Sequence, residues 1–406
     1  MIVDEILLKG IKVVELGNFM SAPYCTKLLA DAGAEVIKIE KPNRGDESRQ
    51  YGPFPNDLPD PERSGLFLWL NSNKLGITLN PDTAAGQKIC KALLKDTDVF
   101  VTNLPEDELR GMGLDYPSLQ EPFQRLVMVS ITPFGTSGPY SKYKAYHLNS
   151  AATGGICIGI GDPDREPLTM PLSQGAYQAG VSAAGAALVA LLARRKIGLG
   201  QYIDISEVEV WAALHVGHHI LTFLYRGVTG IRRGIHTGYF NYPNVCLPCK
   251  DGYVCLVTPQ LEQWNRFVEL MGNPEWAKKP RYMNRRAMQE EYPEEVDALI
   301  IPWLMQRNKE EIFKACLEKR IPCSPVYNIA ELLEHPHLKA RMFFREIDHP
   351  LAGCLKYPGA PYRFSKQSGQ SVRPAPLLGQ HNEEILCDRL GLTRDELAAL
   401  CSSEAT

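Results

Sequence analysis

Three clusters in this sequence have residue types and spacings that could do chemistry. Cys246-Leu247-Pro248-Cys249, with Cys255 nearby, sets two thiolates at the two-residue spacing that can bite one zinc ion. No second pair answers it: Cys316 and Cys323 are far along the chain and wrongly spaced, so these thiols read as small apolar core residues. A redox CxxC would need a helix amino terminus, and Lys250-Asp251-Gly252 reads as a turn instead. His215, His218 and His219 recur at i, i+3 and i+4, one face of a helix, where imidazoles can converge on a metal. No HExxH glutamate accompanies them, and Trp211, Leu214 and Leu221 around them point to a packed helix face. GGICIGIGD, Gly154–Asp162, contains a GxG but no third glycine, so it reads as a flexible loop beside a site rather than a dinucleotide cradle.

Two large enzyme classes drop out, because the chain has neither a GxSxG elbow nor a GxxxxGK[ST] phosphate loop. What remains is a set of basic residues at strand ends: Lys38, Lys41, Arg44, Lys74, Lys142 and Lys144. Such residues can pair with phosphates, and they equally suit a solvated charged face.

The elements that must position them alternate. Apolar runs at Ile11–Leu16, Glu35–Ile39 and Val99–Thr102, with a helix over Ala22–Ala32, give the βαβ pattern of a parallel sheet covered by helices. Leu126–Ile131 and Tyr202–Ile205 read as further strands of that sheet. Gln178–Arg195 is an alanine-rich helix suited to close packing, closed by Arg194, Arg195 and Lys196 before Gly198. Its apolar stretch from Val181 to Ala193 is too short to span a bilayer and reads as a buried helix. The texture changes near Gly227, in VTGIRRGIHTGYFNYP. The reading is therefore a large domain over residues 1–226 and a smaller one over 227–328, in which Tyr253–Val257 is a strand and Gln260 to Lys319 is helical. Residues 329–406, proline-rich in YPGAPYRF and RPAPLLGQHNEE, read as a strap returning to the first domain. No repeat or heptad run is visible.

Composition agrees with a globular protein. At 406 residues, 44% apolar and 22% charged, the chain can fill two cores and leaves no room for long disorder. A net charge of −3 and a pI near 6.3 argue against nucleic-acid or anionic-membrane partners, which need a basic excess. The first residues, MIVDEILLKG, are acidic where a signal peptide is basic. Eleven cysteines without framework spacing suit free thiols in a reducing compartment. The cytoplasm is the expected location.

Several strings together resemble the family III coenzyme A transferases, the CaiB/BaiF type, which include formyl-CoA, carnitine and benzylsuccinate transferases and the related α-methylacyl-CoA racemases. GIKVVELGNFMSAPYCTKLLADAGAEVIKIEKPNRGDESR opens the resemblance. NSNKLGITLNPDTAAGQ, DVFVTNLPEDELRGMGLDY, GLGQYIDIS, CKDGYVCLV, IPCSPVYNIAELLEHP and APLLGQHNEEILCDRLGL continue it. The resemblance implies an α/β fold with a Rossmann-like large domain, a smaller α+β domain and two interlocked chains. It places CoA contacts at Lys41, Leu79, Asn103, Leu104, Arg110 and Lys144. Lysines there can pair with nucleotide phosphates, and an apolar residue with an asparagine can hold adenine.

Chemistry in this family starts when an aspartate carboxylate attacks an acyl-CoA thioester, forming first a mixed anhydride and then an aspartyl-CoA thioester. The family motif reads roughly ADYQAG in front of the alanine-rich helix. This chain reads GAYQAG over Gly175–Gly180, so Ala176 occupies the nucleophile position. Asp162, Asp164 and Glu166 lie in another turn, and Ser173 or Cys157 would give an ester or thioester instead of an anhydride. The family's AGP string is here Ser21-Ala22-Pro23, and its acid after the tyrosine is His147 in Ala145-Tyr146-His147. A racemase would need a histidine at Tyr146 and an acid at Ala176, and both are missing. Three readings follow. The first is a non-catalytic subunit whose homologous partner supplies the aspartate, as in the two-subunit transferase that activates (R)-benzylsuccinate with succinyl-CoA in anaerobic toluene breakdown. The second is an acyl-CoA-binding protein without transfer activity, and the third a homodimeric enzyme with altered chemistry based on His147. No covalently bound cofactor and no metal are implied; CoA or acyl-CoA enters as substrate.

Overall fold

Six short runs rich in valine and isoleucine build one sheet. In this computed structural model, which describes residues 7–230, 232–236, 241–365, 372–402 and 405–406, they are β1 (Lys12–Leu16), β2 (Glu35–Glu40), β3 (Leu75–Thr78), β4 (Val99–Thr102), β5 (Val127–Thr132) and β6 (Tyr202–Ser206). Residues 1–6, read above for export, and part of VTGIRRGIHTGYFNYP lie outside the described residues. The strand order is β3-β2-β1-β4-β5-β6, and every neighbouring pair runs parallel. Parallel neighbours need long crossovers, and helices supply them: α1 (Ser21–Asp31), α2 (Gly65–Leu70), α3 (Ala84–Leu94), α4 (Glu106–Met112), α5 (Tyr116–Leu119), α6 (His147–Thr153) and α7 (Gln174–Ile197). The order reverses between β1 and β4, so the carboxyl ends of those two strands flank the crevice where open α/β sheets bind ligands.

Alternation along the strands separates two cores. Val13, Val36, Val101 and Val129 face α1 and α7, whereas Val14, Ile77, Phe100 and Met128 face α3 and the carboxy-terminal Ile385 and Leu386. Helix α7 meets α1 through small residues. A Cβ on Gly180 would lie 2.9 Å from the Ser21 carbonyl oxygen and 3.1 Å from the Cys25 nitrogen, so the backbones touch there because a side chain is missing. Helix α7 is long and apolar enough to cross a membrane by length and composition, yet Ala179, Ala183, Ala184, Ala187 and Ala190 are buried in the core. The expectation of a wholly buried helix fails on its other face, where Val181, Val189 and Leu192 are 51%, 68% and 61% exposed.

The chain forms two compact units, one of Met1–Ile156, Thr169–Leu221 and Met342–Thr406, the other of Cys157–Leu168 and Thr222–Arg341. In the first, the carboxy-terminal segment covers the open edge of the sheet. His381 Nδ1 accepts from the Gly76 amide at 3.0 Å, and Asn382 Oδ1 from the Thr78 amide at 2.9 Å. Those amides on β3 would otherwise be free to pair with another chain. The same segment holds an antiparallel hairpin, Phe344–His349 with Gly353–Pro358, in a stretch whose prolines gave no sign of it. The second unit packs helices around a small antiparallel sheet, β7 (Asn244–Cys249), β8 (Gly252–Val257) and β9 (Cys323–Pro325). Its core gathers Tyr242, Trp264, Phe267, Ile300 and Ile312.

Candidate functional site

At the switch between β1 and β4, the loop after β1 is clasped from the end of β4. Asn103 Nδ2 donates to the Asn18 carbonyl at 2.7 Å and to Ser21 Oγ at 3.0 Å, while its Oδ1 accepts from the Asn18 amide at 2.8 Å. Phe19 in that loop has φ 66, a left-handed conformation that a bulky residue adopts only when its surroundings enforce it. Beneath the loop lies a network of charges, buried except at its Glu62 end. Lys38 pairs with Glu15 and Asp46, each at 2.6 Å, and Lys74 pairs with Glu15 at 2.8 Å. Lys38 also reaches the Gly17 carbonyl at 3.3 Å, and Asp46 Oδ1 accepts from the Phe19 amide at 3.1 Å. Arg49 binds Glu40 and Glu62 at 2.7 and 2.8 Å.

One carboxylate, Glu15, thus serves two ammonium groups. Burial alone would push Glu15 up, but Lys38 and Lys74 outweigh it and hold it below the usual carboxylate value. Lys38 has Asp46 as well, and its carboxylates overcome burial and raise it. Lys74 is left short: burial, only partly offset by Glu15 and reinforced by the Lys38 charge, brings it down to about 8. These lysines are structural. Reading Lys38 and Lys74 as phosphate ligands is therefore corrected, because neither head group reaches solvent.

The remaining basic residues are exposed. Lys41, following β2, lies 3.6 Å from Asp82; Arg44 and Lys144 are exposed. Lys142 pairs with Asp107 at 3.3 Å, and Arg110 with Glu106 and Asp107 at 3.0 and 3.2 Å. Lys41, Leu79, Asn103 and Leu104 follow the carboxyl ends of β2, β3 and β4, on the edge of the sheet where a ligand would lie. Leu79 is fully buried and its amide donates to the Glu40 carbonyl at 2.8 Å, so it could offer a ligand only its carbonyl.

Helix α7 begins at Gln174, four residues before the expected start. Ala176 therefore sits inside its first turn rather than in front of it, with its amide on the Ser173 carbonyl at 3.1 Å. The helix is entered through Leu172 and Ser173, both with positive φ (64 and 53), a second strained turn at the site. Gly175 lies flat against the indole of Trp211, which is fully buried and ends α8 (Glu207–Trp211). A Cβ there would come within 2.5 Å of the indole nitrogen. Around Trp211 gather the His215 and His147 rings, 5.1 and 6.0 Å away. His215 Nε2 lies 2.5 Å from Gln178 Oε1, and His147 Nε2 lies 2.7 Å from the Met170 carbonyl. Above the same turn of α7, Tyr177 packs on Tyr24 and Trp69 at 5.0 and 5.5 Å.

His215 belongs to a wider, π-type stretch over Ala212–Val216 that joins α8 to the helix Gly217–Arg226, which upsets the regular i, i+3, i+4 face expected for the three histidines. Among the described residues no group of three His, Cys, Asp or Glu could hold a metal. Nor do Cys246 and Cys249 form a pair. Three apart in a strand, they point to opposite faces: Cys249 is buried and Cys246 exposed.

Glu207 was not singled out from the sequence. It is largely withdrawn from solvent; burial raises it, against the lowering effects of a hydrogen bond to Ser150 and of nearby His147. His147 Nδ1 and Trp211 Nε1 are buried without a hydrogen-bond partner. The first turn of α7 itself offers no carboxylate, thiol or hydroxyl at position 176. The arrangement can bind and orient a polar ligand, but Ala176 cannot form a covalent acyl intermediate.

A family profile described as CoA-transferase family III matches residues 8–382. The succinyl-CoA–D-citramalate CoA-transferase of Chloroflexus aurantiacus is 34% identical over 401 residues, covering 97% of this chain and 96% of that one. The formyl-CoA:oxalate CoA-transferase of Escherichia coli is 32% identical over 421 residues, covering 98% and 99%. Among solved structures, a CaiB/BaiF family protein from Brucella suis superposes with a TM-score of 0.85 at 28% identity, over 94% of this chain and 98% of that one. The Mycobacterium tuberculosis protein Rv3272 gives 0.78 at 21% identity, over 93% and 99%, and shares the fold.

Proposed function

Because this chain belongs to CoA-transferase family III, we propose that it is the non-catalytic subunit of a heteromeric cytoplasmic CoA-transferase whose homologous partner supplies the nucleophilic aspartate. The observation that carries this reading is Ala176 in the first turn of α7. A methyl group there can neither accept an acyl group nor return it, and the neighbouring side chains on that turn are Gln174, Tyr177 and Gln178. The exposed apolar stripe of α7, Val181, Leu188, Val189 and Leu192, supports an obligate partner, because apolar patches of this kind mark association surfaces. In this role the chain contributes fold and site walls, and Lys41, Asn103, Leu104, Arg110 and Lys144 are the groups offered to CoA.

For substrates, the reading takes succinyl-CoA as donor and (R)-benzylsuccinate as acceptor. Its support is chemical: the relative named for succinyl-CoA and D-citramalate handles a 2-substituted succinate, and benzylsuccinate is another. The test is to purify the chain alone and together with a homologous subunit carrying the aspartate, and to assay CoA transfer between succinyl-CoA and 2-substituted succinates. Transfer should appear only in the mixed preparation. Turnover by the chain alone would overturn the proposal in favour of chemistry based on His147, and inactivity of both would leave an acyl-CoA-binding protein.

A further inference from the structure

The small antiparallel sheet carries a thiol arrangement with no place in CoA transfer. Strands β7 and β8 are joined by the two-residue turn Lys250-Asp251, and Cys246 stands directly opposite Cys255. In a two-residue hairpin the closing pair, here Cys249 and Gly252, exchanges hydrogen bonds, and the pairs then alternate. Cys246 and Cys255, three pairs along, are therefore a non-hydrogen-bonded pair. Two observations fix that parity independently. Pro248, which has no amide hydrogen to give, occupies a non-hydrogen-bonded position opposite Tyr253. On its other edge, β8 bonds through the alternate residues: the Val326 amide donates to the Tyr253 carbonyl at 2.9 Å, and the Val257 amide donates to the Pro322 carbonyl at 3.2 Å.

Non-hydrogen-bonded pairs bring opposite Cα atoms to about 4.5 Å, inside the range of about 4.4–6.8 Å that a disulfide spans. Both side chains leave the sheet on the same face. It is the outer one, because Val245, Leu247, Val254 and Leu256 are buried on the other side. Cys246 is exposed and Cys255 half-buried, and their thiols are within hydrogen-bonding contact. Burial and then the neighbouring Cys246 raise the Cys255 thiol to about 11, which leaves the exposed Cys246 as the first to react. A metal is the competing use of two thiols, but no third ligand joins them among the described residues.

We propose that Cys246 and Cys255 are an oxidisable cross-strand dithiol that closes to an intrachain disulfide when the protein meets a peroxide. The Cys246 thiolate attacks the peroxide, an S–O bond forms, the O–O bond breaks, and the departing hydroxide or alkoxide takes up a proton. The Cys255 thiolate then attacks that sulfur, forming the S–S bond and releasing the oxygen as water. The two thiols lose two electrons and the peroxide gains them. Closure ties the two strands of the hairpin covalently on the solvent face.

The test treats the full-length protein with hydrogen peroxide, blocks remaining thiols, and maps peptides without reduction. The expected result is a linked peptide pair containing Cys246 and Cys255 as the first disulfide to appear, reversed by dithiothreitol. Phenylarsine oxide, which bridges adjacent thiols, should bind the reduced protein and protect both. Cys246→Ser, at an exposed position, should abolish both signals; Cys354→Ser, exposed elsewhere, should leave them intact. Oxidation of Cys246 to sulfinic acid with Cys255 still free, or a first disulfide elsewhere, would overturn the proposal.

Discussion

Replacing Glu15 by glutamine removes the carboxylate with which Lys74 pairs directly, at the centre of the buried network. Lys38 keeps Asp46 at 2.6 Å, but Lys74 keeps only the neutral Pro23 and Asn71 oxygens, each at 2.8 Å. Breaking a buried ion pair from one side costs about 3–5 kcal/mol, and with none of these side chains exposed no solvent relieves the loss. The sign of the pH dependence is specific. Lys74 is depressed to about 8 in the folded protein against an ordinary 10.5, so between those values the unfolded chain binds more protons and stability climbs with pH. Without Glu15 the depression deepens and the climb starts lower, so the deficit of Glu15→Gln shrinks as pH rises toward about 8, the folded Lys74 value of the parent protein, and is level above it, where both proteins climb together. Urea unfolding followed by tryptophan fluorescence reads it, since Trp69 and Trp211 lie in the same unit as the network. Adding Lys74→Met removes the unpaired charge and should recover most of the loss. A deficit that does not shrink as pH rises toward about 8, or a double variant no more stable than the single one, would contradict this prediction.

Three further outcomes are expected. Gly175→Ala drives a methyl into the buried Trp211 indole, an overpacking that costs about 1–3 kcal/mol; thermal unfolding and near-ultraviolet circular dichroism should both change. Glu207→Gln should stabilise the protein at neutral pH and make no difference in acid. A carboxyl raised by burial favours folding while protonated, and loses that contribution as pH climbs past its folded value; urea titrations at several pH values check this. Ala176→Asp places a carboxylate in the first turn of α7, where the helix dipole favours it by about 0.3–1 kcal/mol. With the walls of the site intact, the variant should acquire an acyl adduct from acyl-CoA that hydroxylamine releases, visible by mass spectrometry.

Most of the parallel sheet was legible because its strands are short, β-branched and separated by helices: five of the six lie within a residue of the expected ends, from Lys12–Leu16 to Tyr202–Ser206, and only the four-residue β3, Leu75–Thr78, was not anticipated. The reading that puts Ala176 at the nucleophile position rests only on the GAYQAG string. The residue's placement inside α7 was not legible, because Gly175 is a poor helix former and nothing local announces its contact with Trp211. Lys38 and Lys74 misled for a related reason. A lysine within a strand, as Lys38, or just before one, as Lys74, reads as a surface group, and only the acid in KVVEL, Glu15, within a buried parallel strand, signalled that charges were paired inside. The CxxC thiols were read as small core residues, which holds for Cys249 but not for the exposed Cys246, because the chain runs there as a strand whose two-residue period sends the two side chains to opposite faces. The apolar side of α7 could not be judged from hydropathy, since its sequence is apolar all round and gives no amphipathic stripe.

Which chain carries the acyl group decides most directly whether catalysis lies outside this subunit. The mixed preparation is incubated with acyl-CoA, quenched with hydroxylamine, and both subunits are weighed intact. A hydroxamate should form on the aspartate-bearing partner and none on this chain. A hydroxamate on this chain, with Ala176 in place, would contradict the proposal.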